Sequence, residues 1–161
     1  DGGELSSDQI NDLFQQQTRG LVLAPQGGAT ETTAETTEPV AEETYTELAP
    51  EMQINIQISF DFDSAALRAD QKDRLSNMCQ AMQASDIGKF KVIGHTDSSG
   101  AAAYNASLSQ LRAEEVKRFL VSECGIAETR LEAIGVGEEF PINKQNTRAD
   151  ENRRVEFQVG T

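Results

Sequence analysis

The stretch Gly94-His95-Thr96-Asp97-Ser98-Ser99-Gly100, with the segment 104–113 behind it, decides the fold of this chain. The apolar residues within 89–95 predict a strand that leads into it. The Gly- and Ser-rich turn predicts a loop that carries Asp97, and the segment 104–113 predicts the start of a helix that carries Arg112. A carboxylate and a guanidinium on separate elements that meet at one edge suit a ligand that carries both charges.

The flanking sequence predicts three more strands and one more helix. Near residue 52 apolar and polar residues begin to alternate, which is typical of a strand with one covered face; the apolar set is Ile54, Ile56 and Ile58. The other predicted elements are a helix over 65–84, the Arg112 helix continued to about Gly125, and strands over 131–134 and 154–159. Because strand–helix–strand crossovers are right-handed, both helices are expected on one face of the sheet. The order strand, helix, strand, helix, strand, strand therefore predicts the α+β class, as a two-layer sandwich with a mixed sheet.

The first 25 residues predict a short amphipathic helix followed by an extended piece. Ser6 and Gln9 have the spacing of a capping box, and one narrow apolar stripe follows, made of Ile10, Leu13 and Phe14. Residues 20–25 predict the extended piece. Because an isolated helix of this length is marginal in water, we expect residues 6–17 to dock on the main domain, on an envelope partner or on a second copy.

Residues 26–50 have the composition of a disordered acidic linker, rich in Thr, Glu and Ala. The formal charge of −13 is concentrated near the N-terminus, since residues 1–51 hold 11 acidic residues and 1 basic residue. A chain with this charge repels nucleic acid and anionic membranes, so we expect neither as a partner. No run approaches the ~20 apolar residues of a membrane-spanning helix. The main domain is expected to comprise residues 51–161.

Cys79 and Cys124 are the only cysteines, and neither lies in a metal-binding pattern. They form a disulfide if the compartment is oxidising, and otherwise a pair of small buried thiols. The residues alone leave both interpretations open. No nucleophile with an attendant base is visible, and the sequence predicts no cofactor and no catalytic residue.

A set of motifs with a characteristic order and spacing runs from residue 54 to 159. Its members are Phe60-Asp61-Phe62-Asp63-Ser64, Gly94-His95-Thr96-Asp97, Tyr104-Asn105, Leu108-Ser109, Arg112-Ala113, Arg130-Leu131, Gly135, Gly137, Pro141 and Asn152-Arg153-Arg154-Val155-Glu156. In these motifs the chain resembles the OmpA-like domain family of outer-membrane protein C-terminal domains, peptidoglycan-associated lipoproteins and flagellar stator proteins. The run 147–151 departs from the family pattern, which usually has Gly-Arg-Ala there.

The resemblance implies a function and a location. Domains of this family bind the stem peptide of peptidoglycan without being enzymes, at the free amino-acid end of diaminopimelate, and so anchor the outer membrane or an envelope partner to the cell wall. The implied location is the periplasm of a Gram-negative bacterium, where an oxidising environment favours the disulfide.

The resemblance also implies which residues bind the ligand. Asp97 is expected to bind the ammonium of diaminopimelate and Arg112 its carboxylate, because a guanidinium grips a carboxylate with two parallel hydrogen bonds. Arg153, at the start of the last strand, and Asn105, ahead of the Arg112 helix, are expected to add polar contacts. The backbone N–H groups that follow Phe62, from Asp63 onward, are expected at the N-terminus of the first helix of the domain, where they could hold an anion.

Each of these residues also has a structural interpretation. Asp97 and Arg112 could form an ordinary salt bridge, and Asn105 could be only a helix cap. Arg153 could belong to a solvated charge cluster with its acidic neighbours. His95, the single histidine, is interpreted as a hydrogen-bonded structural residue.

Two other functions remain as alternatives. A metal-assisted hydrolase could use two short motifs at strand ends, made of Asp61, Asp63, His95 and Asp97. A protein-interaction module of the cell envelope could leave the pocket unused and bind through the N-terminal helix. Retention on purified peptidoglycan without metal dependence separates these alternatives from the first interpretation.

Overall fold

The computed structural model describes residues 5–23, 45–58, 60 and 65–160. Among these residues one mixed sheet is formed by β1 (Ile54–Ile56), β2 (Phe90–His95), β3 (Leu131–Gly137) and β4 (Arg154–Val159). The strands lie in the order β1-β4-β2-β3. β2 and β3 are parallel, and β4 is antiparallel to both of its neighbours.

The α-helices of the described residues are α1 (Ser7–Leu23), α2 (Ala69–Lys72), α3 (Ser76–Ala84) and α4 (Ala102–Cys124). A 3-10 turn joins α2 to α3, and this broken helix connects β1 to β2. α4 connects β2 to β3 and ends at Gly125, whose φ of 71° gives the left-handed cap that favours glycine. The α+β class and the predicted order of strands and helices are confirmed.

The first helix of the domain starts later than predicted. The sequence predicted a helix from Ala65, but residues 65–68 are not helical and Arg68 has an extended backbone with ψ 147°. A helix in a protein gains most of its stability from a packed apolar face. The fully buried side chains of this crossover all lie further along the chain, at Leu75, Met78, Ala81 and Met82. Among the preceding four residues Leu67 is only partly buried against the core, and the helix begins at Ala69.

α4 lies close to β2 and β3 because two strand positions carry no side chain. A Cβ at Gly94 would lie 2.3 Å from the carbonyl oxygen of Ser109, and a Cβ at Gly135 would lie 2.2 Å from the amide nitrogen of Gln110. The Gln110 side chain accepts the Gly135 N–H at 2.7 Å and donates to the Ala133 carbonyl at 3.0 Å. This close approach places the Arg112 segment of α4 beside the end of β2.

α1 is part of the same hydrophobic core. Ile10 and Phe14 are 1% and 0% exposed, and the ring centroid of Phe14 lies 4.8 Å from that of Phe90 on β2. Gln17 extends the sheet's hydrogen bonding, since its Oε1 accepts the Val159 N–H at 2.8 Å and its Nε2 donates to the Met52 carbonyl at 3.0 Å. Of the three docking modes considered for residues 6–17, the structure therefore shows docking on the main domain.

The predicted capping box of α1 is confirmed, and the predicted end of α1 is wrong. The Ser6 N–H donates to Gln9 Oε1 at 2.8 Å, and the Gln9 N–H donates to Ser6 Oγ at 3.1 Å. The helix continues to Leu23, although residues 20–25 were predicted to be extended. A glycine within a helix costs only about 1 kcal/mol, so a docked helix can run through Gly20. Residues 24 and 25 lie outside the described residues.

The C-terminal end of the predicted linker packs on the domain. Tyr45 is buried, the Thr46 carbonyl accepts a hydrogen bond from Gln158 at 2.7 Å, and the Leu48 carbonyl accepts one from Gln53 at 2.8 Å. The prediction of a disordered linker is thus wrong for residues 45–50, because one aromatic side chain and backbone hydrogen bonds hold them to the sheet. Residues 26–44 lie outside the described residues, and their disorder stays a prediction. Together with α1, this contact places the core partly outside the predicted boundary of 51–161.

The two cysteines form a disulfide. Cys79 on α3 is bonded to Cys124, the last residue of α4, with a Cα–Cα distance of 5.7 Å. The bond joins α3 and α4, the two helices that were predicted to lie on one face of the sheet. Of the two interpretations left open by the sequence, the structure shows the disulfide.

Candidate functional site

Asp97 lies in the loop just after β2, as predicted, with its side chain only 10% exposed. Its Oδ1 accepts the Ser99 N–H at 2.8 Å, and its Oδ2 accepts a hydrogen bond from Arg153 Nη1. Burial on its own raises the pKa of the Asp97 carboxyl, but the Ser99 N–H and the Arg153 guanidinium outweigh it, and the pKa lies below its usual range. Asp97 is therefore a carboxylate at neutral pH, held by two donors.

The partner of Asp97 in the structure is Arg153, which the sequence had given a secondary role. Arg153 lies between a 3-10 turn, Asp150–Asn152, and the first residue of β4. Its guanidinium bridges Asp97 and Asp150, and its side chain remains 42% exposed. The prediction of a charge cluster with acidic neighbours is thus right for Asp150, and the cluster also includes the ligand-binding candidate Asp97.

The loop before Arg153 takes its shape from the side chain of Asn152, which is fully buried. Asn152 Oδ1 accepts the backbone N–H groups of Ile142 and Asn143, each at 2.8 Å. On the other side of the loop, the Ser98 N–H donates to the Thr147 carbonyl at 2.9 Å. The run 147–151, which departs from the family pattern, is therefore bonded to the loop that carries Asp97.

Asn105 supports the Asp97 loop from inside. It lies in the first turn of α4, after the N-cap residue Ala101, so the prediction that it precedes or caps the helix is wrong. Its Nδ2 donates to the Ser99 carbonyl at 2.9 Å and to Glu138 Oε1 at 2.8 Å, and lies 3.4 Å from the Asp97 carbonyl. Because Asn105 is only 4% exposed, its side chain contacts the loop and not solvent. Its helical backbone leaves the side chain free to reach back to the loop.

Arg112 lies on α4, and its guanidinium carbon is 4.6 Å from the ring centroid of Phe60. This distance is within the range of a cation–π interaction. Arg112 and Arg153 both line a small cleft at the end of the central strands. The cleft is lined by Ile58, Phe60, Gly94, His95, Ser109, Arg112, Arg153, Arg154 and Val155. Of the predicted pair of opposite charges, Arg112 lines this cleft directly, and Asp97 is connected to it through its ion pair with Arg153.

Two predicted site residues, Phe62 and Asp63, lie outside the described residues, as does Asp61. The anion site proposed for the backbone N–H groups after Phe62 required a helix N-terminus at that point. The described helix begins at Ala69, so its N-terminus lies later in the chain than predicted. The anion site itself falls on residues that the structure does not describe and stays a prediction.

A buried polar cluster centred on Glu156 was not predicted from the sequence. Glu156 lies on β4 and is 0% exposed. Its Oε1 accepts hydrogen bonds from Tyr45 Oη and from His95 Nε2, each at 2.8 Å, and its Oε2 accepts one from Gln158 at 3.1 Å. Alternation on β4 could have placed Glu156 on one face, but the residue that covers that face, Tyr45, is 111 positions away in the chain.

His95 has a structural hydrogen bond, as predicted. Burial lowers the pKa of His95 below its ordinary value, more than the hydrogen bond to Glu156 raises it. Among the described residues His95 Nδ1 has no hydrogen-bond partner, so a second ring proton would find no acceptor there. No group of three or more His, Cys, Asp or Glu suited to a metal occurs among those residues.

A four-stranded mixed sheet with helices and a charged cleft at the end of its central strands defines a domain of the α+β class. The chain belongs to the OmpA family, whose model matches residues 59–154.

Individual relatives agree with this assignment. Outer membrane porin F of Pseudomonas fluorescens is 37% identical over 114 residues, which is 70% of this chain and 35% of that protein. The crystal structure of the peptidoglycan-associated lipoprotein from Burkholderia pseudomallei is similar with a TM-score of 0.53 and 29% identity, covering 65% of this chain and 87% of that chain. The cell wall anchor of the T6SS from Pseudomonas aeruginosa has a TM-score of 0.53 and 33% identity, with 63% and 74% covered.

The chain spans about a third of the length of the porin F proteins that it matches. None of the helices in the described part of the chain has the length and apolar character that crossing a bilayer requires.

Proposed function

We propose that this domain binds peptidoglycan non-covalently, through the free amino-acid end of diaminopimelate in the stem peptide, and thereby anchors an envelope component to the cell wall in the periplasm. Two similar structures support the general function, since one is a peptidoglycan-associated lipoprotein and the other a cell wall anchor. Within the chain, one observation carries the proposal: Arg112 and Arg153 line one small cleft, and Arg153 is paired with the ionised Asp97.

The charges of the cleft suit a zwitterionic amino-acid group. Each oxygen of a carboxylate has two acceptor sites, so Asp97 can accept an ammonium N–H while keeping the hydrogen bonds from Ser99 and Arg153. The Arg112 guanidinium carbon lies 4.6 Å from the centroid of the Phe60 ring. A guanidinium carries its N–H groups in a planar fork that matches the two oxygens of a carboxylate. Arg153 adds a second positive charge where the carboxylate would approach.

The test is cosedimentation of the full chain with purified sacculi. Two variants that remove one charge each at nearly constant shape are compared with the parent, Arg112→Gln and Asp97→Asn. Loss of one partner of a shielded charge pair costs on the order of 2–5 kcal/mol, or about 30-fold to several thousand-fold in affinity. Because a single small zwitterion binds weakly, we expect either change to abolish retention.

The matched control is Arg118→Gln on the same helix, where Arg118 is 75% exposed and pairs with Glu115. This variant is expected to cosediment like the parent. Sacculi with lysine in place of diaminopimelate provide a second control, because lysine offers the ammonium without the adjacent carboxylate. Parent protein on lysine sacculi is expected to behave like Arg112→Gln on diaminopimelate sacculi. Retention in the presence of EDTA is expected to be unchanged, whereas a metal-assisted hydrolase would lose retention when its metal is removed.

Folded Arg112→Gln and Asp97→Asn proteins that still sediment with diaminopimelate sacculi would show that the site is misassigned. If Asp97→Asn loses retention only because it unfolds, the Asp97–Arg153 pair is purely structural. Thermal unfolding of every variant distinguishes the two results. The full chain is used because Tyr45 and α1 contribute to the core, and a fragment that begins at residue 51 would lack both.

A further inference from the structure

Glu156 is fully buried on β4, three positions after Arg153 in the chain. His95 on β2 is opposite Arg154 on β4 in the antiparallel register, and Glu156 lies two residues further along β4. Asp97 follows His95 by two residues, and Arg153 immediately precedes Arg154. Asp97 therefore follows the end of β2, Arg153 precedes the start of β4, and the polar cluster lies at this same end of the two strands.

Arg154 ties the cluster to the rest of the sheet. It is 4% exposed and 3.9 Å from Glu156 Oε1. Its Nε donates to Asn55 Oδ1 on β1 at 2.8 Å, and its Nη2 is 3.4 Å from the carbonyl of Phe140 in the loop that leads to Arg153. A buried ion pair that loses one hydrogen-bonding partner leaves an incompletely solvated charge, which is costly in a low-dielectric interior.

Tyr45 covers this cluster from a distant part of the chain. Its hydroxyl donates to Glu156 Oε1, the oxygen that also accepts from His95. Its ring packs edge-on against the rings of His95 and Phe140, at centroid distances of 5.6 Å and 4.9 Å. Burial, followed by the neighbouring Glu156 carboxylate, raises the pKa of Tyr45 above its ordinary value. The hydroxyl therefore remains a donor at any physiological pH.

We propose that Tyr45 is a positioning residue for ligand binding: by holding Glu156 against His95, it fixes the strand ends that place Asp97 opposite the ligand and Arg153 beside it. The segment 45–48 is then part of the binding unit and not a tether. This inference rests on the proposed function, since the ligand that Asp97 and Arg153 meet is the diaminopimelate end. Its structural part, the effect of Tyr45 on the Asp97 loop, can be measured without any ligand.

The test compares Tyr45→Phe with Tyr104→Phe in the full chain. Each variant removes one hydroxyl and keeps the ring, and Tyr104 is the only other tyrosine, 46% exposed on α4. The amide proton of Ser99 donates to Asp97 Oδ1, so its NMR chemical shift reports the position of that carboxylate, and the side-chain Nε–H of Arg153 reports the other partner. Affinity is measured with the soluble disaccharide tripeptide that contains diaminopimelate.

Tyr45→Phe is expected to shift the Ser99 and Arg153 signals and to weaken binding about threefold to tenfold, since a hydrogen bond to a charged group is worth tenfold or more and only part of the loss is transmitted to the site. Tyr104→Phe is expected to change neither. A general loss of stability would lower the unfolding temperature without moving these two signals in the folded protein.

The outcomes separate this inference from the proposed function. If Tyr45→Phe leaves the signals and the affinity unchanged while Arg112→Gln abolishes binding, the positioning role is wrong and the proposed function stands. If Arg112→Gln still binds, the proposed ligand site is wrong. The positioning of the Asp97 loop by Tyr45 is then decided by the Ser99 and Arg153 signals alone, which support it if they move and overturn it if they do not.

Discussion

Replacing Phe14 by Ala tests whether α1 is a structural part of the domain. The sequence offered three docking partners for this helix, and the structure buries its apolar stripe in the domain core. Phe14 is 0% exposed and its ring packs at 4.8 Å from that of Phe90. Phe90 is itself 0% exposed and begins the central strand β2, so a change at Phe14 acts on the middle of the sheet.

The expected loss of stability is large. Truncating a buried Phe to Ala removes its transfer free energy and leaves a cavity, which together cost about 3–5 kcal/mol. Native proteins of this size have a total free energy of unfolding of about 5–15 kcal/mol. Gln17 adds a polar contribution, because undocking of α1 leaves the Val159 N–H and the Met52 carbonyl without this partner. Phe14→Ala should therefore remove about a fifth or more of the stability of the whole domain.

Urea unfolding of the full chain, followed by far-UV circular dichroism, measures this loss. The matched control is Gln15→Ala, the exposed neighbour on the same helix, which is expected to change the free energy of unfolding by less than about 0.5 kcal/mol. If Phe14→Ala unfolds at the same urea concentration as the control, α1 does not contribute to the core of the domain in solution. The docking of residues 6–17 on a partner or on a second copy would then be the correct interpretation.

Two further predictions concern sulfur and pH. The Cys79–Cys124 bond, with a sequence separation of 45, is expected to stabilise the folded chain by roughly 4 kcal/mol through the entropy of the unfolded state; urea unfolding with and without reductant measures this, and two reactive thiols in denatured, unreduced protein would contradict the bond. Because burial lowers the pKa of His95, the unfolded chain takes up the imidazole proton first as the pH falls, and the free energy of unfolding should decrease below about pH 6.5. His95→Gln should remove that part of the pH dependence, and an unchanged slope between pH 7 and 5 would show that His95 does not contribute to it.

The sequence was sufficient for the order of the elements and for part of the site. Strand and helix periodicities depend on which face of each element is covered, and that information is local. Asp97 was predicted because it follows a predicted strand in a Gly- and Ser-rich turn, and Arg153 was implied by the resemblance to the family. Those two residues come together in the structure because β2 and β4 are antiparallel neighbours, with His95 opposite Arg154.

Two helix ends differ from the prediction. The helix predicted from Ala65 begins at Ala69, and the helix predicted to stop before Gly20 continues to Leu23. Local propensity differs by about 1 kcal/mol or less at such positions. A difference of this size is too small to set a helix end from the segment alone.

The sequence could not reveal the second covered face of the sheet. Arg154, Glu156 and Gln158 alternate with apolar residues, which is the pattern of a strand with one face in water, yet all three are at most 4% exposed. Tyr45 and the residues after it cover this face, although their composition resembles the acidic segment before them. The burial of a polar residue on a strand can be predicted only when its hydrogen-bonding partner is known. The partner of Glu156 is Tyr45, which is 111 positions away in the chain.

Burial on both faces has a consequence for the binding chemistry. A lysine or arginine on a flexible surface loses side-chain entropy when it grips a ligand, and a weak ligand such as a single amino-acid group cannot offset much of that loss. In the proposed site Asp97 is held by Ser99 and Arg153, and the Arg112 guanidinium carbon lies 4.6 Å from the Phe60 ring centroid, so both charges have fixed neighbours before a ligand arrives. The rigidity of these contacts depends on central strands that are fixed from both sides. Contacts outside the cleft, at Tyr45 and at Phe14, are therefore expected to influence binding through the order that they impose on β2 and β4.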